Sequence, residues 1–248
     1  MDLRERREQL GFRHPWETVR ARFFGNHIVK SAGNQPVNIL DLGSGDCWFA
    51  EQLLPRLPLG STITCFDINF SDLDLIEPIA TGITKVRDLP SGIFEIIVLL
   101  DVIEHVADDL SFLQVNVHPK LAEGGMVLIS VPAHPSLFSE HDEFLGHHRR
   151  YTRRQILDLA NKISTPRKNG YLFVSLALTR FFQRLLPRKR HGEQQGVGSW
   201  TSGRFLTVLV TFLLSIDALA SIALRALRIN LPGLTVWVSS NGKVVKPQ

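Results

Sequence analysis

The sequence predicts an α/β protein with a doubly wound, seven-stranded, mostly parallel sheet and an apolar helical insertion near the C-terminus. Four short runs, "VNILDLG", "TITCFDI", "EIIVLLD" and "MVLISVP", are apolar throughout, which is typical of strands that are covered on both faces. Helical patterns separate these runs. A length of 248 residues with 44% hydrophobic content is enough for one main domain with a full core.

The helices follow in chain order. "HPWETVRARFF" precedes the first strand, "CWFAEQLL" stops at Pro55, and "ADDLSFLQVNV" reaches Pro119, because proline cannot continue a helix. Thr152 and Gln155 form a capping box that starts the helix "RRQILDLANKI". "VRDLP" ends a third strand, and the later runs "YLFVSLA" and "LTVWVSSNGKVV" could add two more.

These elements suggest four segments. We expect an N-terminal helical segment at 1–35, a cofactor-binding core at 36–178, a basic and apolar helical insertion at 179–230, and a C-terminal strand at 231–248 that completes the sheet. The stretch "PRKRHGEQQGVGS" within the insertion is rich in charge, glycine and glutamine, which predicts disorder.

Charge divides the chain. Residues 1–148 contain 11 Lys/Arg and 21 Asp/Glu, a balance of −10, whereas residues 149–228 contain 15 and 3, a balance of +12. The second part could meet an anionic lipid surface, phosphate or nucleic acid, or could simply present solvated arginines. Two cysteines and the absence of an apolar leader in the first residues predict that the catalytic part faces the cytoplasm.

A glycine-rich turn follows the first strand in "DLGSGD". Such a turn lets backbone approach a ligand beside a helix N-terminus. Trp48 stands where a dinucleotide-binding GxGxxG motif would have its third glycine, which weakens a nicotinamide interpretation. Asp67 ends the next strand, where an acid can accept both ribose hydroxyls, and Asp88 ends the third.

Five motifs, "ILDLGSGD", "CFDIN", "VRDLP", "FEIIVLLDVIEHV" and "LAEGGMVLISVP", resemble in content and order the class I S-adenosylmethionine-dependent methyltransferases, over about residues 12–177. The resemblance implies a Rossmann-like fold, S-adenosylmethionine as the cofactor and methyl transfer as the activity. It also implies the cofactor-binding residues: Arg20, Asp41, Gly43, Ser44, Gly45, Asp67, Ile68, Asp88, Leu89, Asp101 and Val102. In that family the glycine turn holds the methionine end, Asp67 would bind ribose and Asp88 the adenine amine. Asp41 would shape the turn, and Asp101 with Val102 would line the methyl donor.

Arg20 lies in the helix before the first strand, which is similar to an aromatic and arginine-containing helix of some family members. Its guanidinium could pair with the cofactor carboxylate. Ordinary amphipathic packing would explain the aromatic residues around it equally well.

A hydroxyl or amine acceptor must lose a proton on methylation, so a base is expected near the carboxyl ends of the fourth and fifth strands. Two segments offer a base: "DVIEHV", with Glu104 and His105, and "VPAHPSLFSEHDEFLGHHRRYT". We consider His105, His134 and His141 as catalytic candidates. The second segment is too polar for a core. Its side chains could act as a base or bind acceptor: His134, Glu140, His141, Asp142, His147 and His148. Arg149, Arg150 and Tyr151 could bind phosphate.

The histidine and carboxylate spacing matches no familiar metal motif, so we expect no metal. The segment is similar to one in methyltransferases of glycan and polyprenyl-lipid pathways. This similarity implies a small-molecule, glycan or lipid-linked acceptor, methylated at oxygen.

"FLTVLVTFLLSIDALASIAL" has a single charge, Asp217, and is long enough to span a bilayer. A span would place "LTVWVSSNGKVV" on the far side, away from the sheet. We therefore favour peripheral contact with the inner face of a membrane through residues 179–228, and leave a dimer or a substrate-covering helix open.

Two other functions stay open. The chain could be a catalytically inactive scaffold that docks on membrane or a partner, or an RNA methyltransferase, given an isoelectric point near 9.3. Nucleic acid is the less favoured partner because the positive charge alternates with long aliphatic runs rather than with stacking aromatic residues. The oligomeric state is left open.

Overall fold

The computed structural model describes residues 12–185, 200, 202–227 and 229–242. The stretch predicted to be disordered, 187–199, lies outside the described residues.

The described chain forms one seven-stranded sheet in the order β3-β2-β1-β4-β5-β7-β6. The strands are β1 Asn38–Leu42, β2 Thr62–Phe66, β3 Ile83–Val86, β4 Phe94–Leu100, β5 Leu121–Pro132, β6 Thr165–Leu172 and β7 Thr235–Asn241. Strands β1 to β5 pair in parallel, and β7 runs antiparallel to both of its neighbours, β5 and β6. The predicted mostly parallel, Rossmann-like sheet is confirmed.

Helices flank the sheet. They are α1 Pro15–Ala32, α2 Trp48–Leu53, α3 Asp72–Ile76, α4 Asp109–Phe112, α5 Glu140–Phe144, α6 Arg153–Ile163, α7 Val174–Leu185 and α8 Arg204–Ala226. Short turns of tighter or wider helix include a 3-10 turn at Ile103–His105 and a π-helical turn at Leu113–Val117. The capping box at Thr152 and Gln155 starts α6 as predicted.

The apolar strands are explained by two cores, one on each face of the sheet. Ile39 of β1 packs into a cluster with Phe24 of α1 and Trp237 of β7. The next residue, Leu40, packs on the opposite face with Ile156 of α6. Because side chains alternate between faces, a strand covered on both sides must be apolar at consecutive positions.

Strand β6 differs from the expectation. The run "YLFVSLA" was expected as a strand, but only Tyr171 and Leu172 belong to β6, and α7 begins at Val174. The strand instead uses the polar stretch from Thr165, and its pairing shifts register between Pro166 and Lys168. Proline and polar residues are tolerated there because β6 is the edge strand.

Among the described residues, the predicted apolar insertion at 179–230 contains α8 and the greater part of α7, which begins earlier, at Val174; both helices lie between β6 and β7 in the chain. The single acid of these two helices has a local task. The Asp217 carboxylate of α8 accepts hydrogen bonds from the backbone N–H groups of Val174 and Ser175, at 3.1 and 2.8 Å, and from the Ser175 hydroxyl. Asp217 therefore caps the first turn of α7 and joins the two helices.

Candidate active site

The glycine turn after β1 leaves room for backbone alone. Gly43 and Gly45 have φ values of 70° and 57°, in the left-handed region that glycine adopts without strain. A Cβ on Gly43 would lie 2.7 Å from Cγ2 of Val102. The turn is held to the end of β2, because the N–H groups of Gly43 and Ser44 both donate to the carbonyl of Phe66, at 2.8 and 3.0 Å.

Asp67 lies at the end of β2, as expected, but it is buried. One carboxylate oxygen accepts from the N–H of Gly45 at 2.9 Å, and the other accepts from the N–H of Asn69 at 2.9 Å. The residue thereby links the glycine turn to the loop after β2. An ionised carboxylate has further lone pairs, so these two bonds still allow it to accept from a ligand.

Charged side chains meet where β1 and β4 end. Arg20 of α1 is buried, forms an ion pair with Asp101, and stacks over Trp16 at 4.3 Å. Asp101 follows β4 with φ of 59°, an uncommon conformation for a residue other than glycine, of a kind that clusters at functional sites. Arg20 and Asp101, which were predicted separately as cofactor-binding residues, thus lie together beside the glycine turn.

Asp41 of β1 is also buried. Burial, with a smaller contribution from Asp67, raises the pKa of Asp41 to about 7, and the positive charge of Arg20 opposes this rise. Because this pKa is close to neutral pH, a charged ligand that binds nearby can change the protonation state of Asp41.

Three further predicted residues lie after β2 and β3. Ile68 is 74% exposed, so its side chain is accessible to a ligand. Asp88 is exposed, and Leu89 is partly buried against the core. Asp88 and Leu89 follow the end of β3 at Val86, so they stand at the same edge of the sheet as Asp67.

A second group of polar side chains follows β4. Glu104, His105 and His147 each bring one potential ligand atom to within 4.8 Å of the others, and we call these three residues the Glu104 cluster. Glu104 is completely buried, and burial raises the pKa of its carboxyl group to about 8. Asp142 lies behind the cluster and accepts from Nδ1 of His147 at 3.0 Å.

The three predicted bases are placed differently. His105 is a member of the Glu104 cluster. Burial, together with the positive charge of Arg180, lowers the pKa of His141, whose Nε2 atom is buried with no hydrogen-bond partner among the described residues. His134 bonds through Nε2 to the carbonyl of Gly233 at 3.0 Å and stacks on Tyr171. His134 thus joins the end of β5 to the approach to β7.

Arg149, Arg150 and Tyr151 bond to protein groups in the structure, and their contact with a phosphate stays a prediction. Arg149 bonds to Asp109 and to the carbonyl of Ala107, at 3.2 and 2.5 Å. Arg150 bonds to Asp142 at 2.8 Å. The Tyr151 side chain is buried, and its hydroxyl donates to Asp109 and to the carbonyl of Ile103. These side chains are used to hold the loops after β4 and β5 in place.

In the sequence, Glu104, Asp142 and His147 are three of many polar side chains that could act in catalysis, and nothing local distinguishes them. Their importance lies in contacts across separate loops, since His147 is 43 positions beyond Glu104. The "DVIEHV" motif marked the first half of the cluster. No spacing rule connects it to the second half.

A glycine turn after β1, with acids following β2, β3 and β4 at one edge of a parallel sheet, is the fold and site of the class I S-adenosylmethionine-dependent methyltransferases. The chain belongs to the family described as methyltransferase domain, which matches residues 7–211. S-adenosylmethionine is the cofactor that this family implies. No curated protein sequence matches the chain.

Solved structures share the fold. One is the N-methyltransferase NodS from Bradyrhizobium japonicum WM9, with 13% identity, a TM-score of 0.52, and coverage of 92% of this chain and 97% of that chain. A second is the plantazolicin methyltransferase BpumL in complex with a monoazolic desmethylPZN analog and SAH. It has 16% identity, a TM-score of 0.54, and coverage of 92% of this chain and 85% of that chain. A third is coclaurine N-methyltransferase bound to N-methylheliamine and SAH. It has 11% identity, a TM-score of 0.56, and coverage of 91% of this chain and 72% of that chain.

Proposed function

We propose that this methyltransferase transfers a methyl group to a hydroxyl of a lipid-linked acceptor that it meets at a membrane surface. The observation that carries the proposal is an exposed apolar face on α7 and α8 beside the candidate acceptor site. Its largest exposed side chains are Leu178, Phe182, Phe205, Val208, Phe212, Leu213 and Leu219. Many large exposed apolar side chains on two helices that contact each other mark an interaction surface rather than ordinary solvent contact.

The apolar face adjoins the acceptor side of the sheet. The ring of Phe181 on α7 lies 5.5 Å from that of His134, just after β5. Arg180 contributes to the lowered pKa of His141, so α7 lies next to the segment that contains two of the candidate bases. An acceptor with an apolar tail could rest on α7 and α8 while its polar end reaches the site.

The helix α8 is better suited to lie on a bilayer than to cross it. It is long and apolar enough to span on length and composition alone, with a mean hydropathy of 2.2 and 17% of that stretch buried. However, Asp217 caps α7, and β7 lies between β5 and β6. A crossing helix would have to pull β7 out of the sheet. Exposed Arg180 and Arg204, with Arg188, Lys189 and Arg190 in the joining sequence, favour an anionic lipid surface.

The residues at the edge of the sheet fit S-adenosylmethionine. We assign the methionine end to Gly43, Gly45 and Arg20, since a Cβ on Gly43 has no room and a buried guanidinium suits a carboxylate. Asp67 would accept from ribose. The exposed Ile68 would cover the adenine ring, Leu89 would line its other side, and Asp88 would accept from its amine. The sulfonium supplies the reactive methyl group, so the protein mainly aligns the two reacting atoms.

Transfer to oxygen requires removal of a proton from the acceptor. His141 is our candidate base, because its lowered pKa keeps the imidazole neutral and its Nε2 atom has no partner in the described residues. We propose Asp101 and Val102, next to the glycine turn, as the residues that line the methyl group.

The test combines transfer and membrane binding. Purified full-length protein is given methyl-labelled S-adenosylmethionine with a membrane lipid extract, with the water-soluble headgroups released from it by mild acid, or with RNA. We expect label in the organic-soluble fraction that survives mild alkali, because an ether resists alkali whereas an ester does not. His141→Ala should lower turnover with little change in cofactor affinity.

Membrane contact is tested by co-sedimentation with vesicles of phosphatidylglycerol and phosphatidylcholine. Phe212→Glu and Leu219→Glu should reduce binding, whereas Leu59→Glu should not, since Leu59 is 98% exposed outside this face. Label in RNA alone would establish an RNA methyltransferase instead. Cofactor binding without transfer to any fraction would favour a scaffold.

A further inference from the structure

The Glu104 cluster has the composition and spacing of a metal site. Glu104, His105 and His147 bring a carboxylate oxygen and two imidazole nitrogens to within 4.8 Å of one another. Bonds near 2.1 Å place the ligand atoms of one tetrahedral cation roughly 3.4 Å apart. Small side-chain rotations would therefore close the three ligands around a single ion.

Glu104 is the member that most requires a cation. Its side chain is completely buried, and neither carboxylate oxygen has a hydrogen-bond partner among the described residues. Native structures rarely leave a buried carboxyl group unsatisfied, because its desolvation is costly. The two guanidinium groups that act on it already pair with other acids, Arg20 with Asp101 and Arg150 with Asp142.

His147 is oriented as a ligand by the residue behind it. Asp142 is completely buried and accepts from Ser139 N–H at 2.9 Å and from Nε of Arg150 at 2.8 Å, in addition to Nδ1 of His147. An ionised carboxylate can only accept, so Nδ1 of His147 carries a proton, and Nε2 is the ring nitrogen that is left to bind a cation. A carboxylate that holds a histidine in this way is the usual outer partner of a metal ligand.

We propose that Glu104, His105 and His147 bind one divalent first-row transition-metal cation. Asp142 is the positioning residue for His147. Imidazole and carboxylate ligands suit Zn²⁺, Fe²⁺ and Mn²⁺ better than they suit Mg²⁺ or Ca²⁺. This assignment replaces the expectation of no metal, and it makes His105 a ligand rather than a base.

Three protein ligands leave coordination positions open. A cation there would coordinate the oxygen of an incoming hydroxyl group, lower the pKa of that hydroxyl and orient it toward the methyl donor. This catalytic role rests on the proposed transfer to oxygen. The binding of the cation does not rest on it.

Metal binding is measured without any acceptor. Full-length protein is stripped with chelator, titrated calorimetrically with Zn²⁺, Mn²⁺ and Mg²⁺, and assayed for metal content after desalting. We expect about one transition-metal ion per chain and weaker binding of Mg²⁺. Glu104→Gln and His147→Gln should each weaken binding by more than about 100-fold, and Asp142→Asn by about 10- to 100-fold.

Matched controls use exposed residues of the same types. Glu123→Gln and His118→Gln should bind the cation as the wild type does, since both side chains are exposed and neither belongs to the cluster. Circular dichroism establishes whether each variant folds. If a cluster variant does not fold, metal binding is tested on the wild type alone. The proposal then predicts a metal-dependent rise in its melting temperature and visible absorption from bound Co²⁺.

The proposal is overturned if the stripped wild type binds none of these cations, or if the cluster variants bind as their controls do. Metal binding without methyl transfer to any hydroxyl would leave the site intact and refute the transfer to oxygen. Transfer that is unaffected by chelation, in protein shown to be free of metal, would refute the catalytic role of the cation.

Discussion

Gly43 offers a sharp test of how the glycine turn is built. Its φ of 70° costs an alanine about 1–2 kcal/mol. In addition, the new Cβ would lie 2.7 Å from Cγ2 of Val102, and overpacking of this kind costs about 1–3 kcal/mol. Gly43→Ala should therefore lower the free energy of unfolding by about 2–5 kcal/mol and weaken binding of S-adenosylhomocysteine.

Gly124→Ala is the matched control. Gly124 has φ of 71°, but nothing lies within 4 Å of a Cβ built on it. This variant should lose only the conformational part, about 1–2 kcal/mol, and should keep its cofactor affinity. Urea unfolding and isothermal titration measure the two quantities.

A double-mutant cycle isolates the contact with Val102. Val102→Ala removes the methyl group that Gly43→Ala would meet, so the two changes together should cost less than their sum, by about 1–3 kcal/mol. Equal losses for Gly43→Ala and Gly124→Ala, or an additive cycle, would refute the argument that close packing on Val102 requires glycine.

Three more predictions concern charged side chains. Asp217→Ala should destabilise the protein by about 1 kcal/mol in urea unfolding through loss of the cap on α7, whereas Asp158→Ala, on the exposed side of α6, should have little effect. Burial raises the pKa of Asp41 from 3.8 to about 7, so its contribution to the free energy of unfolding is fully present below pH 3.8 and is lost as the pH rises through 7. Asp41→Asn should therefore flatten the dependence of the free energy of unfolding on pH over this range. An unchanged dependence would exclude Asp41 as its source. Arg20→Lys should weaken binding of S-adenosylhomocysteine about tenfold in calorimetry, since lysine keeps the charge but not the two-pronged geometry; equal affinity would remove Arg20 from the cofactor site.

The fold was predictable because its signals are local. Consecutive apolar residues such as Ile39 and Leu40 indicate a strand that is covered on both faces, and the box formed by Thr152 and Gln155 indicates where α6 starts. The error in β6 has the same origin. An edge strand needs neither an apolar run nor every ladder hydrogen bond, so its sequence does not distinguish it from a loop.

The site was predictable only in part. Gly43, Asp67 and Asp101 stand at ends of strands, where chain order alone places them at one edge of a parallel sheet. The individual environments were not predictable. Asp67 was expected to accept hydrogen bonds from ribose, and the sequence did not show that it is buried and already bonded to two backbone N–H groups.

The sequence by itself determined the buried strands, the glycine turn and the order of the acids, because these follow from residues that are close together in the chain. Only the tertiary structure decided which charged groups are neighbours. It joined Glu104 to His147 and Asp217 to the start of α7, although each pair is separated by more than 40 residues. The free energy of a buried charge depends on the atoms around it, and those atoms come from segments that meet only when the chain is folded.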